Sequence, residues 1–433
     1  MNKKVLKLAG PSILANITVP LVGMVDLAIA GRLGDAASIG GIAIATMLFD
    51  LLYWNMGFLR VGTGGYAAQA YGRRDFKDSM RILVQALGTA LASAAVIWAI
   101  QYVYLETAFL IVDTSAQTES LARTYFYIRI WAAPATLSLF VFKGWFIGMQ
   151  NTISPMVVDV SVNVLNLVLS IVFAIGLKMG IAGIALGTLV SQYAGLIISL
   201  VLMSVYYRKL FHYIQVKKSL KIRDMKNFFV LNGNLFLRST SLLLVYSGFT
   251  AIAARYGDTL LAVSTIMMKL MLLYSYFIDG FAYAGEALTG RFIGAKDPKS
   301  LKRAIRVLFV WTIIIAALST IAYAFAGEPL FRLMTNNTEV IEAASAYLPW
   351  LLIVPLLSCI AFILDGIFIG ATASAAIRDT MLLSAASFFL SYYIFESTVG
   401  MQALYIAYMA HLIVRTVVMS LTMKKNVLIK SFA

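Results

Sequence analysis

The sequence has one cysteine, Cys359, and two histidines, His212 and His411. A single thiol excludes an intramolecular disulfide framework and a thiolate metal cluster. Two imidazoles are too few for a histidine-based metal site. Charge is scarce as well. Of 433 residues only 13% are charged, while 61% are hydrophobic. A soluble domain is usually about half apolar and a quarter charged, so the composition excludes one. Enzyme signatures are missing: there is no GxxxxGK[ST], no HExxH and no GxSxG. The "GTGG" at 62–65 lacks the lysine and the strand–helix setting of a phosphate loop, and close helix packing explains it better. The chain does not read as an enzyme, and no cofactor is expected.

What is abundant is long apolar runs. About twelve of them reach the roughly 20 residues that a helix needs to cross the hydrocarbon core. The spans are 8–31, 38–60, 80–104, 118–148, 153–176, 181–205, 228–254, 260–288, 302–326, 341–370, 374–396 and 402–422. The first is too long for a cleavable leader, and it contains Asp26. The fold class is therefore an all-α integral membrane protein.

The net charge of +15 could suggest nucleic acid, but its distribution excludes that partner. Lys and Arg crowd "MNKKVLK", "GRRDFKDSMR", "YYRKLFHYIQVKKSLKIRDMKN", "GAKDPKSLKR" and "MKKNVLIK", which are the two termini and every second connection. The alternate connections "DTSAQTES" and "ESTVG" have neither. This is the positive-inside pattern, with both termini cytoplasmic. The expected setting is a multi-pass protein of the cytoplasmic (inner) membrane. The basic charge meets lipid headgroups.

The chain repeats itself. "GRLGD" ending at Asp35 answers "ARYGD" ending at Asp258. "YGRRDFKDSMRIL" from Tyr71 answers "IGAKDPKSLKRAI" from Ile293, and "GWFIGMQNT" from Gly144 answers "GIFIGATAS" from Gly366. The offset is about 222 residues. An even helix number in each half makes the repeats parallel, so two six-helix bundles are related by a pseudo-two-fold axis along the membrane normal. The expected lobes are 1–205 and 228–433, joined by a basic cytoplasmic linker, 206–227. Two such bundles facing each other would enclose the cavity of a secondary transporter.

The opening "LAGPSILANITVPLVGMVDLAIAGRLGD" resembles that of MATE (multidrug and toxic compound extrusion) transporters, with the nearer likeness to their DNA-damage-inducible, DinF-like branch. "GFLRVGTGGYAAQAYGRRD", "NVLNLVLSIVFAIGLKMGIAGIALGT", "IDGFAYAGEALTGRFIGAKD" and "LDGIFIGATAS" extend the resemblance through nearly the whole chain. It implies twelve helices in two lobes and cation-coupled antiport, by H⁺ or Na⁺, of amphipathic and often cationic small molecules. A monomer is expected. A flippase for a lipid-linked precursor, from the same wider superfamily, is the alternative.

Asp26 stands alone in an apolar run. An intramembrane acid is costly and usually faces the bundle interior or water, where it titrates or holds an ion. Asn163, Asn166 and Ser170 recur at i, i+3 and i+7 on one helix face, and Thr188 lies in the next segment. The resemblance matches Asp26, Asn166, Ser170 and Thr188 to the family's N-lobe cation site. Ser170 departs from it, because an Asp is common there. The bland alternative for the amides and hydroxyls is ordinary interhelical bonding. Pro11 and Pro20 are candidate helix-bending positions. In the second half the position answering Asp26 is about Phe249, and the acids are Asp279, Glu286 and Asp365. They would attract substrate or form a second ion site. Alternatively they form salt bridges with Arg60, Arg129, Lys143 or Arg238. Asp50 and His411 have no assigned role.

Overall fold

A computed structural model describes residues 1–32, 36–112, 114–335 and 337–429, the side chains of 19–28, 30–32, 36, 222–224 and 227 excepted. Among the described residues the chain is helical and has no strand. The helices are α1 (Asn2–Arg32), α2 (Ala36–Met56), α3 (Phe58–Arg73), α4 (Phe76–Ile111), α5 (Ala116–Arg129), α6 (Ala133–Gly148), α7 (Ile153–Ile171) and α8 (Gly180–Tyr207). They continue with α9 (Val216–Ser219), α10 (Ile222–Ala253), α11 (Asp258–Gly294), α12 (Pro298–Met334), α13 (Thr338–Gly370), α14 (Ser374–Val399) and α15 (Gln402–Met423).

Eleven described spans, from Ala37–Arg73 to Gln402–Ile429, are long and apolar enough to cross a bilayer. Helix is what such sequences must form, because hydrocarbon offers no partner to a free backbone N–H or C=O. The backbone of α1 is helical over 31 residues, through both Pro11 and position 20. The Asp26 and Pro20 side chains lie outside the described residues. The predicted span 38–60 runs further, to Arg73, because the small-residue run from Val61 to Ala70 is buried and helical. The span 118–148 is α5 and α6 joined by a 3₁₀ turn at Ile130–Ala132, with Pro134 in the first turn of α6, where its missing N–H does no harm.

The chain forms two compact units. One comprises Leu14–Phe228; the other comprises Met1–Ile13 with Phe229–Ala433. This division differs from the predicted lobes in placing residues 1–13 with the second half. A Cβ on Gly280 of α11 would meet Ile13 Cγ1 at 2.4 Å and the Ala9 carbonyl oxygen at 3.0 Å. The connection 206–227 is also more than a tether. It turns in a 3₁₀ segment at Arg208–Tyr213, forms α9, and lies on α4. There Gln85 Nε2 donates to the Ser219 carbonyl at 3.0 Å.

The repeat is built into the packing. A Cβ on Gly144 would lie 2.1 Å from the Arg60 carbonyl oxygen, and one on Gly366 would lie 2.1 Å from that of Ala282. A Cβ on Gly148 would lie 2.7 Å from the Gly64 carbonyl oxygen, and one on Gly370 would lie 2.4 Å from that of Glu286. The connections repeat too. Asp75 caps α4 by accepting from Asp78 N, and Asp297 caps α12 by accepting from Ser300 N, both at 2.9 Å. Arg74 and Lys296 have φ of 58° and 55°; Gln150 and Thr372 have 63° and 53°. Every one of these pairs is 222 positions apart.

Candidate functional site

In the first unit, α7 and α8 meet where Gly187 leaves room. A Cβ there would stand 2.7 Å from Ser170 Oγ. Asn166 Nδ2 donates to Thr188 Oγ1 at 2.8 Å, and that hydroxyl donates to the Ile184 carbonyl at 3.1 Å. The Thr188 proton is thus used, so its oxygen only accepts from Asn166. This fixes the amide: its NH₂ faces Thr188 and its carbonyl faces away. Asn166, Ser170 and Thr188 are all buried, at 3%, 0% and 6% exposure. Asn166 Oδ1 and Ser170 Oγ have no hydrogen-bond partner among the described residues. One turn earlier, Asn163 Nδ2 donates to Thr18 Oγ1 of α1 at 2.6 Å. Beyond Ser170 the helix widens into a π turn at Val172–Gly176, closed by Leu177 N to the Val172 carbonyl at 2.8 Å. Such turns often mark functional segments.

Chemically, this arrangement offers one amide acceptor and one hydroxyl on a buried face. An acceptor without a donor is expensive in a dry site. The pair suits a protonated carboxyl, or it supplies two neutral oxygens to a small cation. Asp26, the acid that the sequence assigns here, lies outside the described residues. Eight positions, or roughly 12 Å of helix rise, separate it from Thr18.

In the second unit the acids are arranged differently. Asp365 on α13 is 4% exposed, and its Oδ2 accepts from Arg238 Nη2 of α10 at 2.7 Å. Arg415 Nη2 of α15 donates to the same oxygen, and its guanidinium lies over the Phe362 ring at 5.0 Å. Asp365 Oδ1, the Nε of both arginines and His411 Nδ1 are buried without hydrogen-bond partners among the described residues. Of the two readings for Asp365, the geometry is that of the ion-pair network. Asp279 is half-buried on α11 and shares the surroundings of Tyr246 with Arg238 and Arg415. Glu286 is fully buried on the same helix. Lys143 pairs with Asp159 at 2.7 Å. Arg129 lies over the Phe49 ring at 4.6 Å, close to the exposed Asp50.

The sequence reading did not pick out Thr18 and Arg415. For Arg415 a signal existed: a lone base inside the last apolar run demands a partner as much as Asp26 does. For Thr18 there was none, because a helical hydroxyl commonly bonds its own backbone, as this one also does to Ala15 at 2.7 Å.

The family model described as MatE matches twice, over residues 11–172 and 236–397. The chain is 35% identical over 403 residues to the DNA damage-inducible protein F of Escherichia coli (strain K12), covering 90% of this chain and 85% of that protein. It is 25% identical over 382 residues to the multidrug and toxin extrusion protein 1 of Danio rerio, covering 85% of this chain and 62% of that protein. Among solved structures it is similar to the Vibrio cholerae MATE transporter VcmN in the bent form. The TM-score is 0.89 at 16% identity, over 98% of this chain and 97% of that one.

Proposed function

Since the chain belongs to the MatE family, we propose that it is a secondary transporter exporting amphipathic, often cationic, small molecules by alternating access, driven by an incoming cation. The name of its relative in Danio rerio, multidrug and toxin extrusion protein 1, supports the substrate class. The charge pattern of the connections supports an inner-membrane orientation with both termini cytoplasmic.

The coupling site proposed is Asp26 with Asn166, Ser170 and Thr188, steadied by Asn163. The observation that carries it is the pair of buried oxygens, Asn166 Oδ1 and Ser170 Oγ, without partners among the described residues. Ionised, Asp26 would receive the Ser170 hydroxyl. Protonated, it would donate to Asn166 Oδ1. Two protonation states with two bonding partners favour two helix arrangements, and ligand or proton binding shifts the balance between them. Ser170 replaces a second carboxylate, so H⁺ suits the site better than Na⁺. A proton crossing 100 mV releases about 2.3 kcal/mol. Asp365, held by two guanidiniums, is proposed as a strut.

The test is export from proteoliposomes with ΔpH and ΔNa⁺ imposed separately. Wild-type protein should export under ΔpH. Asp26→Asn should lose gradient-driven export and keep substrate binding. Full export by that variant would move coupling to another acid, and export under ΔNa⁺ alone would exclude H⁺.

A further inference from the structure

One face of α2 carries a stripe of exposed side chains: Met47, Asp50, Leu51 and Trp54. Their spacing, i, i+3, i+4 and i+7, stacks them over two turns of the helix, about 10 Å of rise. Met47, Leu51 and Trp54 by themselves would suit lipid. Asp50 does not. It is the thirteenth of the 23 residues in the apolar run 38–60, and a run of that length matches the thickness of the hydrocarbon core. The acid therefore sits at mid-depth, where a two-carbon side chain cannot reach either interface. A carboxylate there faces a bundle interior or water, never acyl chains. Because Asp50 is exposed, the choice falls on water, and the whole stripe lines an aqueous space.

The carboxylate has no bond to satisfy it. Asp50 makes no hydrogen bond and no ion pair among the described residues. Arg129 is near enough to act on its charge, but that guanidinium is occupied. It donates to the Tyr125 hydroxyl at 3.2 Å and lies over the Phe49 and Tyr125 rings at 4.6 and 5.6 Å. Both rings are fully buried, so Arg129 is held on the buried flank of α2. The exposed flank keeps the acid.

Around that acid the chemistry is apolar and polarisable. Trp54 is one turn further along, and an indole face attracts a cation as well as apolar surface. Met47 is one turn back, and its unbranched thioether adapts to ligands of different outline. Leu51 closes the stripe between them. A carboxylate flanked in this way complements one kind of solute, a positive centre carried on an apolar body.

We propose that this face of α2 is a substrate-binding surface for organic cations, with Asp50 pairing the positive centre and Met47, Leu51 and Trp54 covering the apolar body. The assignment rests on the transport reading for its class of compound, and it names the side chain that selects charge.

Equilibrium binding to full-length protein in detergent micelles tests it, with tetraphenylphosphonium as the cation and triphenylphosphine oxide as a neutral compound of similar apolar surface. The wild type should bind the phosphonium more tightly. Asp50→Asn should weaken phosphonium binding about tenfold, the loss of one charge-assisted contact, and leave the oxide unchanged. Asp50→Glu should restore the preference. Both variants should melt like the wild type, because the side chain is exposed and unbonded. Trp54→Ala should weaken both probes. A phosphonium affinity unmoved by Asp50→Asn, or equal weakening of the two probes by it, would overturn the proposal. So would a wild type that binds both probes equally. A wild type that binds phosphonium through Asp50 but exports nothing under ΔpH or ΔNa⁺ would leave this site standing and overturn the transport reading alone.

Discussion

The Thr188 hydroxyl receives the Asn166 amide at 2.8 Å while giving its own proton to the Ile184 carbonyl at 3.1 Å. One methyl-sized change separates this from a state in which the amide is free to turn. Thr188→Val should destabilise the protein by about 0.6–1.7 kcal/mol, the range for a side-chain bond inside a membrane bundle. It should also move the pH midpoint of ΔpH-driven export, because Asn166 Oδ1 loses its fixed direction. Thr188→Ser keeps the hydroxyl and should restore both. Melting in detergent micelles and transport at several pH values check this pair.

Asp365 binds two guanidiniums, so its removal strands both. Asp365→Asn should cost about 3–5 kcal/mol, as expected when a buried pair loses one partner. Export of cationic and neutral compounds should fall together, with poorer expression. Arg415→Met should cost less, because Asp365 keeps Arg238. Selective loss of cation export by a well-folded Asp365→Asn would instead put the carboxylate in contact with substrate.

Gly144→Ala and Gly366→Ala each place a methyl group 2.1 Å from a carbonyl oxygen of the neighbouring helix. Backbone cannot rotate away, so each should destabilise by more than about 3 kcal/mol, the upper end of overpacking costs. Gly285→Ala, whose new methyl would be 3.5 Å from its nearest neighbour, should be near neutral. Thermal melts of the three variants give the ranking.

Thr372 holds φ at +53°, a region that disfavours L-residues by about 1–2 kcal/mol and β-branched ones most. Thr372→Gly should raise the melting temperature and leave transport unchanged. A fall would mean that the Thr372 side-chain contacts outweigh the backbone strain.

The Ser300 hydroxyl, and then its backbone N–H, donate to Asp297 and hold its carboxyl below the ordinary 3.8. A folded pKa below the unfolded one means that this cap contributes fully above about pH 4 and fades as pH falls through the folded value. Amide exchange at the start of α12 should therefore accelerate in acid below pH 3.8. Asp297→Asn keeps an N-cap acceptor and should flatten that dependence.

The repeat was legible because its marks lie in side chains with local backbone duties: glycines at helix crossings and aspartates at helix starts. The spans were legible because a bilayer enforces their length and polarity. The Asn166–Thr188 bond follows from spacing on one helix and a hydroxyl on the next. Arg415 was harder, since nothing in a linear apolar run names the helix that answers its charge. The folded-back strip at 208–221 was hidden by its lysines, which look like those of any basic connection, although Phe211, Ile214, Val216 and Leu220 line an apolar groove with α4 and α8. The attachment of residues 1–13 could not be read at all: apolar stripes show that a helix packs, but not on which neighbour.

That attachment has a consequence for biosynthesis. Ala9 and Ile13 find their neighbour at Gly280, which leaves the ribosome long after them. At about 10 residues per second the wait is roughly half a minute. Leu14–Phe228, a compact unit with the returning strip already on α4, has all its own partners translated before then. Residues 1–13 are therefore made before that unit and packed after it.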